Sequence, residues 1–146
     1  MNPTVAEVLT GATVAIMTPL PPEAGQDYAA GRAGMVATLN ALAAQEAERG
    51  VPVRLEENAL IRRVLARAVA AYDAPLAGRL APAASAQDSD LSWSALDNAN
   101  ADLRRLLIAL HEAVEAAGDA ALDHEILSLY RDMAHLRRIE LPAALG

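Results

Sequence analysis

Apolar side chains recur along the chain at spacings of three and four residues, the period of an α-helix with one buried face. A short helix is predicted to begin at Thr4, which has the spacing of a capping box with Glu7. Alternation of period two is weak, so strands are not expected. Four longer helices are predicted: from about 27 to 49, from near 56, from Ser92 or Ser94 to about 117, and from about 119 to 139.

Glycine and proline mark the predicted ends of these helices. Gly50 and Gly118 stand where a glycine commonly follows the last helical turn, and Asp119 then caps the last helix. Pro75 ends the helix that begins near 56 or starts a new short one. Residues 81–90, APAASAQDSD, are typical of an exposed loop. The pattern predicts an all-α fold: a single domain, 1–146, forming an antiparallel up-and-down bundle of four main helices plus one or two short helices.

The last two predicted helices have clear core stripes. Two of the three histidines, His124 and His135, lie away from the stripe of their helix and are expected to face solvent. The predicted core residues are Leu103, Leu106, Leu107, Leu110, Val114 and Ala117 in one helix, and Leu122, Ile126, Leu129, Met133 and Leu136 in the other.

The composition supports helices with little aromatic bulk. Hydrophobic residues make up 53% of the chain, but it has no Phe, one Trp and three Tyr. Alanine, the best helix former, occurs 35 times. The core is therefore expected to consist of Leu, Val, Ile and Met packed against alanine faces that let helices approach closely.

Missing residue types exclude several kinds of chemistry. The sequence contains neither Lys nor Cys, which excludes a P-loop lysine, a Schiff base and a thiol nucleophile. A net charge of −7 argues against nucleic acid as a partner. No apolar run approaches the roughly 20 residues of a membrane span. The first arginine is Arg32, so no basic signal-peptide region is expected and the cytoplasm is the expected location.

The histidines do not have the spacing of known metal motifs. Metal sites in helical bundles use Glu-x-x-His on two helices, whereas His111 and Glu115 form His-x-x-x-Glu. The HExxH motif of zinc enzymes is also absent. Neither a metal nor another cofactor is therefore predicted.

Two groups of polar residues could carry function. Arg54, Arg62, Arg63 and Arg67 are expected to form a solvated, salt-bridged face beside Glu56 and Glu57. The second group shares one flank of the helix after Ser94, and Arg32 lies beside the apolar stripe of its own helix. This flank consists of Asp97, Asn100, Arg104, His111 and Glu115.

Three interpretations of the second group remain open. It could be solvated, it could form a polar seam between subunits, or it could line a pocket for a small anionic ligand. His111 is its candidate for acid–base chemistry near neutral pH. The residues predicted for such a pocket are Arg32, Asn100, Arg104, His111 and Glu115.

Apolar residues outside the main stripes favour association as the function. Val14, Leu65, Val69 and Leu127 extend the apolar surface beyond what one neighbouring helix would cover. The first hypothesis is therefore a non-catalytic association or accessory module that acts as a homodimer. The alternative is a helical bundle with the anionic-ligand pocket, which could be an enzyme.

Overall fold

The computed structural model describes residues 5–21, 23–72 and 74–139, which form helices and short connections. These residues contain no strand, which confirms the predicted all-α fold class. Thr4, the predicted start of the first helix, lies outside them. The helices are α1 (Val5–Met17), α2 (Gln26–Ala68), α3 (Ala74–Ser85), α4 (Trp93–Ala117) and α5 (Ala120–Leu136).

Helix α2 differs from the prediction, because one helix of 43 residues replaces two shorter ones. Gly50 does not end a helix: it is buried and lacks the positive φ that a terminating glycine adopts. Pro52 lies inside α2, where its ring removes one backbone hydrogen bond. Buried contacts made by Arg54 and Glu57 in the following turn favour continuation of the helix over this local loss.

Two predicted caps are confirmed, Gly118 after α4 and Asp119 before α5, whereas the capping box expected of Ser94 and Asp97 is not the start of α4, whose N-cap is Ser92. The Ser92 hydroxyl accepts a hydrogen bond from the Ala95 amide, and α4 ends at Gly118 with φ 68°. The Asp119 carboxylate accepts from the Leu122 amide at the start of α5. The predicted loop 81–90 is wrong in its first half, because α3 continues to Ser85.

The chain forms two compact units. The first unit comprises residues 1–50 and 139–146, and the second comprises Val51–Arg138. Helix α2 contributes to both of them. The single domain remains a prediction, and each unit is described separately below.

The second unit contains the larger apolar core. Helices α4 and α5 bury the predicted stripes, except that Leu106 and Leu136 are half-buried and Ala117 is exposed. The fully buried large apolar side chains are Ile61, Leu65, Leu80, Leu96, Leu107, Leu110, Val114 and Ile126.

Side-chain pairs indicate the directions of the helices in this unit. Glu57–Arg137 and Arg67–Glu125 pairs make α2 antiparallel to α5. The His111–Asp123 pair lies near the turn between α4 and α5, which are therefore also antiparallel. These directions fit the up-and-down order predicted from the sequence.

The first unit is a hairpin of α1 and the start of α2. Val8 lines a cavity together with Leu42, whereas Ile16 lines another with Arg32, so the two helices run antiparallel. The buried apolar side chains of this unit are small or medium in size: Ala12, Val36 and Ala43.

Two residues that suggested a dimer surface belong to the core instead. Leu65 is fully buried, and Val69 is half-buried and packs against the same core cluster. Val14 and Leu127 are exposed, as expected. No helix of the described residues is both long enough and apolar enough to cross a membrane.

Adjacent residues on α4 test this core assignment. Leu107→Ala is expected to lower the free energy of unfolding by about 2–5 kcal/mol, because it leaves a cavity among fully buried side chains. Ile108→Ala is the matched control, since Ile108 is 54% exposed, and we expect a loss below about 1 kcal/mol. Urea unfolding followed by circular dichroism measures both. Equal losses would contradict the placement of Leu107 in the core.

Candidate functional site

The main polar feature of the second unit is a buried carboxylate on α2. Glu57 has 0% exposure. The guanidinium of Arg137, the residue that caps α5, donates from Nε to Glu57 Oε1 and from Nη2 to Oε2, each at 2.6 Å. Two groups on α4 also donate to Oε2: Asn100 Nδ2 at 3.0 Å and Arg104 Nη2 at 3.5 Å. Two arginines and an amide thus neutralise and solvate one buried anion.

The hydrogen bonds continue from this carboxylate across the unit. Asn100 Nδ2 also donates to Asn58 Oδ1 at 3.0 Å, and Asn100 Oδ1 accepts from Arg137 Nη2 at 3.0 Å. Asn58 Nδ2 donates to both carboxylate oxygens of Asp88 at 3.3 Å. Arg62 completes the series by a fork to Asp88, with both distances 2.7 Å. We call this connected set, from Arg137 to Arg62, the polar network.

Asp88 lies in the loop between α3 and α4, and its side chain is largely buried. The hydrogen-bonded Arg62 guanidinium holds the pKa of the Asp88 carboxyl below its ordinary value of 3.8. The same hydrogen bond raises the pKa of Arg62. Both groups are therefore charged at neutral pH, and their attraction attaches the loop to α2.

Arg54 makes a neighbouring contact between α2 and the start of α4. Its buried side chain donates from Nε to Asp97 Oδ1 at 2.8 Å. Its guanidinium carbon lies 4.0 Å from the centroid of the Trp93 ring, a cation–π arrangement. The prediction of a solvated arginine face is therefore wrong for Arg54 and Arg62, whereas Arg63 and Arg67 are exposed.

The five predicted site residues do not form one cluster. Asn100 and Arg104 meet at Glu57, as part of the polar network. His111 and Glu115 belong to a second cluster, described next. Arg32 lies in the first unit, where its Nη2 donates to the carbonyl oxygens of Thr18 at 2.8 Å and of Ile16 at 3.4 Å.

The second cluster lies where α4 and α5 meet. His111 Nε2 is 2.9 Å from Asp123 Oδ1 and 3.9 Å from Glu115 Oε1. The His111 ring packs against the Tyr130 ring, with centroids 5.7 Å apart and planes inclined by 55°. Burial raises the pKa of the Tyr130 hydroxyl. His124 and His135 are exposed, as predicted.

Five members of the polar network were not predicted as site residues: Glu57, Asn58, Arg62, Asp88 and Arg137. A sequence signal existed for Glu57, which lies four residues before Ile61 and eight before Leu65 on the buried face of α2. Placing a helix start near 56 instead assigned Glu57 to a solvated first turn. Asp88 and Arg137 gave no local signal, because they lie beyond helix ends and reach their partners through the tertiary fold.

Comparisons with known proteins found no relative of this chain. No protein-family model, no curated protein and no solved structure matches the chain. The functional argument therefore rests on the residues of this chain.

Neighbouring glutamates on α2 provide a test of the polar network. Glu57→Gln keeps the size of the side chain but leaves Arg137 without its counter-charge, so we expect the free energy of unfolding to fall by about 3–5 kcal/mol. Glu56→Gln is the control, because Glu56 is exposed, and its expected change is within about 0.5 kcal/mol. Urea unfolding at neutral pH measures both. A near-neutral Glu57→Gln would show that the network contributes little net stability.

Acid unfolding tests the Asp88–Arg62 pair. Because the folded pKa of Asp88 is lowered, its contribution to stability is present above about pH 4 and is lost as the pH falls through the folded pKa. Asp88→Asn is expected to destabilise the protein by about 1–3 kcal/mol near neutral pH. The difference from wild type should shrink below about pH 4.

The control for this test is Asp102→Asn on α4, since Asp102 is exposed and forms an ion pair with Arg105, which is also exposed. Its expected effect is within about 0.5 kcal/mol. Urea unfolding at several pH values measures both variants. A difference between wild type and Asp88→Asn that does not change with pH would contradict the charged pair.

Proposed function

We propose that the protein is a non-catalytic association module that forms a homodimer through its N-terminal hairpin, α1 and α2 up to Gly50. The observation that carries the proposal is the concentration of exposed large apolar side chains in the first unit. In the described residues of this unit they are Leu9, Val14, Ile16, Leu20, Tyr28, Met35 and Ile139.

Two helices alone cannot cover such side chains. A helix buries its apolar face only against another layer, and the hairpin buries just Ala12, Val36 and Ala43 among its described apolar residues. Val14 is 60% exposed and Met35 is 56% exposed. Apolar side chains clustered in this way commonly mark a surface that binds another protein.

One side of the hairpin has the shape of a receiving groove. Tyr28, Gly31 and Met35 recur at spacings of three and four along α2 and line an open cavity of about 580 Å³ together with Ala15 of α1. Thr18, Asp27 and Arg32 complete its lining, so the groove is apolar along its length and polar at one side. Nothing lies within 4 Å of the position that a Cβ atom would take at Gly31. A helix of a second molecule could therefore approach α2 closely here, between Tyr28 and Met35.

The low charge of the hairpin favours a second copy of the chain as the occupant. Residues 5–50 include seven charged side chains, and three of these lie close together just before Gly50: Glu46, Glu48 and Arg49. The rest of the hairpin, residues 5–45, has four: Glu7, Glu23, Asp27 and Arg32. A strongly charged partner would find little complementarity, whereas an identical apolar face is complementary to itself. Two hairpins also make up the four helices of a bundle, and a two-fold dimer is the commonest symmetric assembly.

The alternative, a pocket for a small anionic ligand, has less support from the geometry. Asn100 and Arg104 already donate to the protein's own carboxylate, Glu57. An external anion would have to displace the Glu57 carboxylate, which belongs to the same chain and also accepts hydrogen bonds from Arg137. Arg32 likewise donates to backbone carbonyls of its own unit.

Two charge insertions of the same kind test the dimer. Met35→Glu places a charge in the groove and is expected to weaken dimerisation by at least about 100-fold, because burial of an unpaired charge is strongly unfavourable. Leu127→Glu is the matched control, because the Leu127 side chain is exposed on α5 of the second unit, and this variant should leave the dimer intact. Sedimentation velocity across a wide concentration range, with circular dichroism as a check on folding, measures both.

A wild-type chain that stays monomeric at every concentration would overturn the proposal. So would a dimer that Leu127→Glu dissociates and Met35→Glu does not, since the interface would then lie on the second unit.

A further inference from the structure

We propose that His111, Glu115 and Asp123 bind one divalent transition-metal cation of the zinc class between α4 and α5. Each side chain offers one ligand atom, and the three atoms lie within 4.8 Å of one another. This inference is independent of the proposed dimer, because all three residues belong to the second unit.

The spacing of the donor atoms suits a small cation. Zinc binds imidazole nitrogen and carboxylate oxygen at about 2.0–2.2 Å, which places neighbouring ligand atoms of a tetrahedral site about 3.3 Å apart. His111 Nε2 and Asp123 Oδ1 are 2.9 Å apart, so a small separation admits the ion. Glu115 Oε1 is 3.9 Å from Nε2. A rotation of the exposed Glu115 side chain would shorten this distance to the roughly 3.3 Å between neighbouring ligand atoms.

The fold holds two of the three ligands, His111 and Asp123, in place. His111 and Glu115 are one helical turn apart on α4, so both project from the same face. The turn at Gly118 and the Asp119 cap then bring Asp123 of α5 opposite His111. Contact with the Tyr130 ring restricts the imidazole. Most of the ordering of the site is therefore complete before a cation binds.

The surrounding charge also favours a cation. Neither arginine nor lysine occurs from 106 to 130, whereas this segment contains five carboxylates: Glu112, Glu115, Asp119, Asp123 and Glu125. Glu125 pairs with Arg67, which leaves the local charge negative. Arg104, two turns before His111 on α4, has its guanidinium directed to Glu57. The field at the site attracts divalent ions.

The ligand set selects the class of ion. One imidazole with two carboxylates suits Zn²⁺, Mn²⁺ or Fe²⁺, and by the usual order of affinities Zn²⁺ binds tightest of the three. Mg²⁺ and Ca²⁺ prefer six or more oxygen ligands, so a site with a nitrogen and two carboxylates should bind them far more weakly. The exposure of Glu115 leaves a coordination position open to water or to another small ligand.

Calorimetric titration of the untagged full chain with Zn²⁺, after treatment with a chelator, tests the site. We expect one Zn²⁺ per chain and no saturable binding of Mg²⁺ at the same concentrations. His111→Ala should weaken Zn²⁺ binding at least about 10-fold, which corresponds to about 1.4 kcal/mol. His124→Ala is the matched control, since His124 is exposed on α5 outside the cluster, and its affinity should equal that of wild type.

A second probe separates coordination from a general effect on the fold. Co²⁺ in place of Zn²⁺ should give visible absorption bands that depend on its ligands, and Asp123→Asn should change these bands while circular dichroism stays as in wild type. The proposal fails if no 1:1 complex forms, or if His124→Ala weakens binding as much as His111→Ala does. The second outcome would indicate only adventitious binding to surface histidines.

Discussion

The burial of one carboxylate, Glu57, constrains the second unit more than any apolar contact. A buried anion is tolerated only when charged and polar groups surround it, and Glu57 obtains these from α4 and from the cap of α5. The surrounding core is made of aliphatic side chains without a single Phe, and such cores tolerate many packings. The hydrogen bonds to Glu57 are directional and form at only one relative position of the helices, whereas aliphatic packing does not fix that position. We infer that the polar network selects the register of α2, α4 and α5.

The features predictable from the sequence were those with local causes. Hydrophobic period and capping residues identified α4, with its end at Gly118, and the start of α5 at Asp119. The same local rules failed at Gly50, because a glycine with a proline two residues later, here Pro52, is typical of a helix end. Arg54 and Glu57, which follow Pro52 in α2, have buried side chains with partners on α4 and at the end of α5, and a local rule does not register such contacts. A buried Glu57 could not be recognised while the helix boundary was misplaced.

Site prediction reached a similar limit. Helical spacing placed Asn100, Arg104 and His111 on one flank of α4, but it could not identify their partners on other helices. Those partners determine the chemistry. Glu57 opposite Arg104 forms an internal ion pair, whereas Asp123 opposite His111 forms a set of possible metal ligands. A single flank in the sequence therefore corresponds to two separate clusters in the structure.

The two units differ in how far their side chains are buried or hydrogen-bonded within the unit, and the proposed association rests on this contrast. In the second unit Glu57, Asn100 and Asp88 have hydrogen-bond partners within the unit, and most of the large aliphatic side chains are buried, with Leu91, Ile108 and Leu127 as exposed exceptions. Among the described residues of this unit, three buried polar atoms have no hydrogen-bond partner: Arg62 Nε, Tyr72 Oη and Arg104 Nε. In the hairpin the polarity is reversed: little charge is present, and large apolar residues such as Met35 face outward. Exposed apolar surface is unfavourable in water, and its concentration in one unit is the reason for proposing that a second copy of the chain covers it.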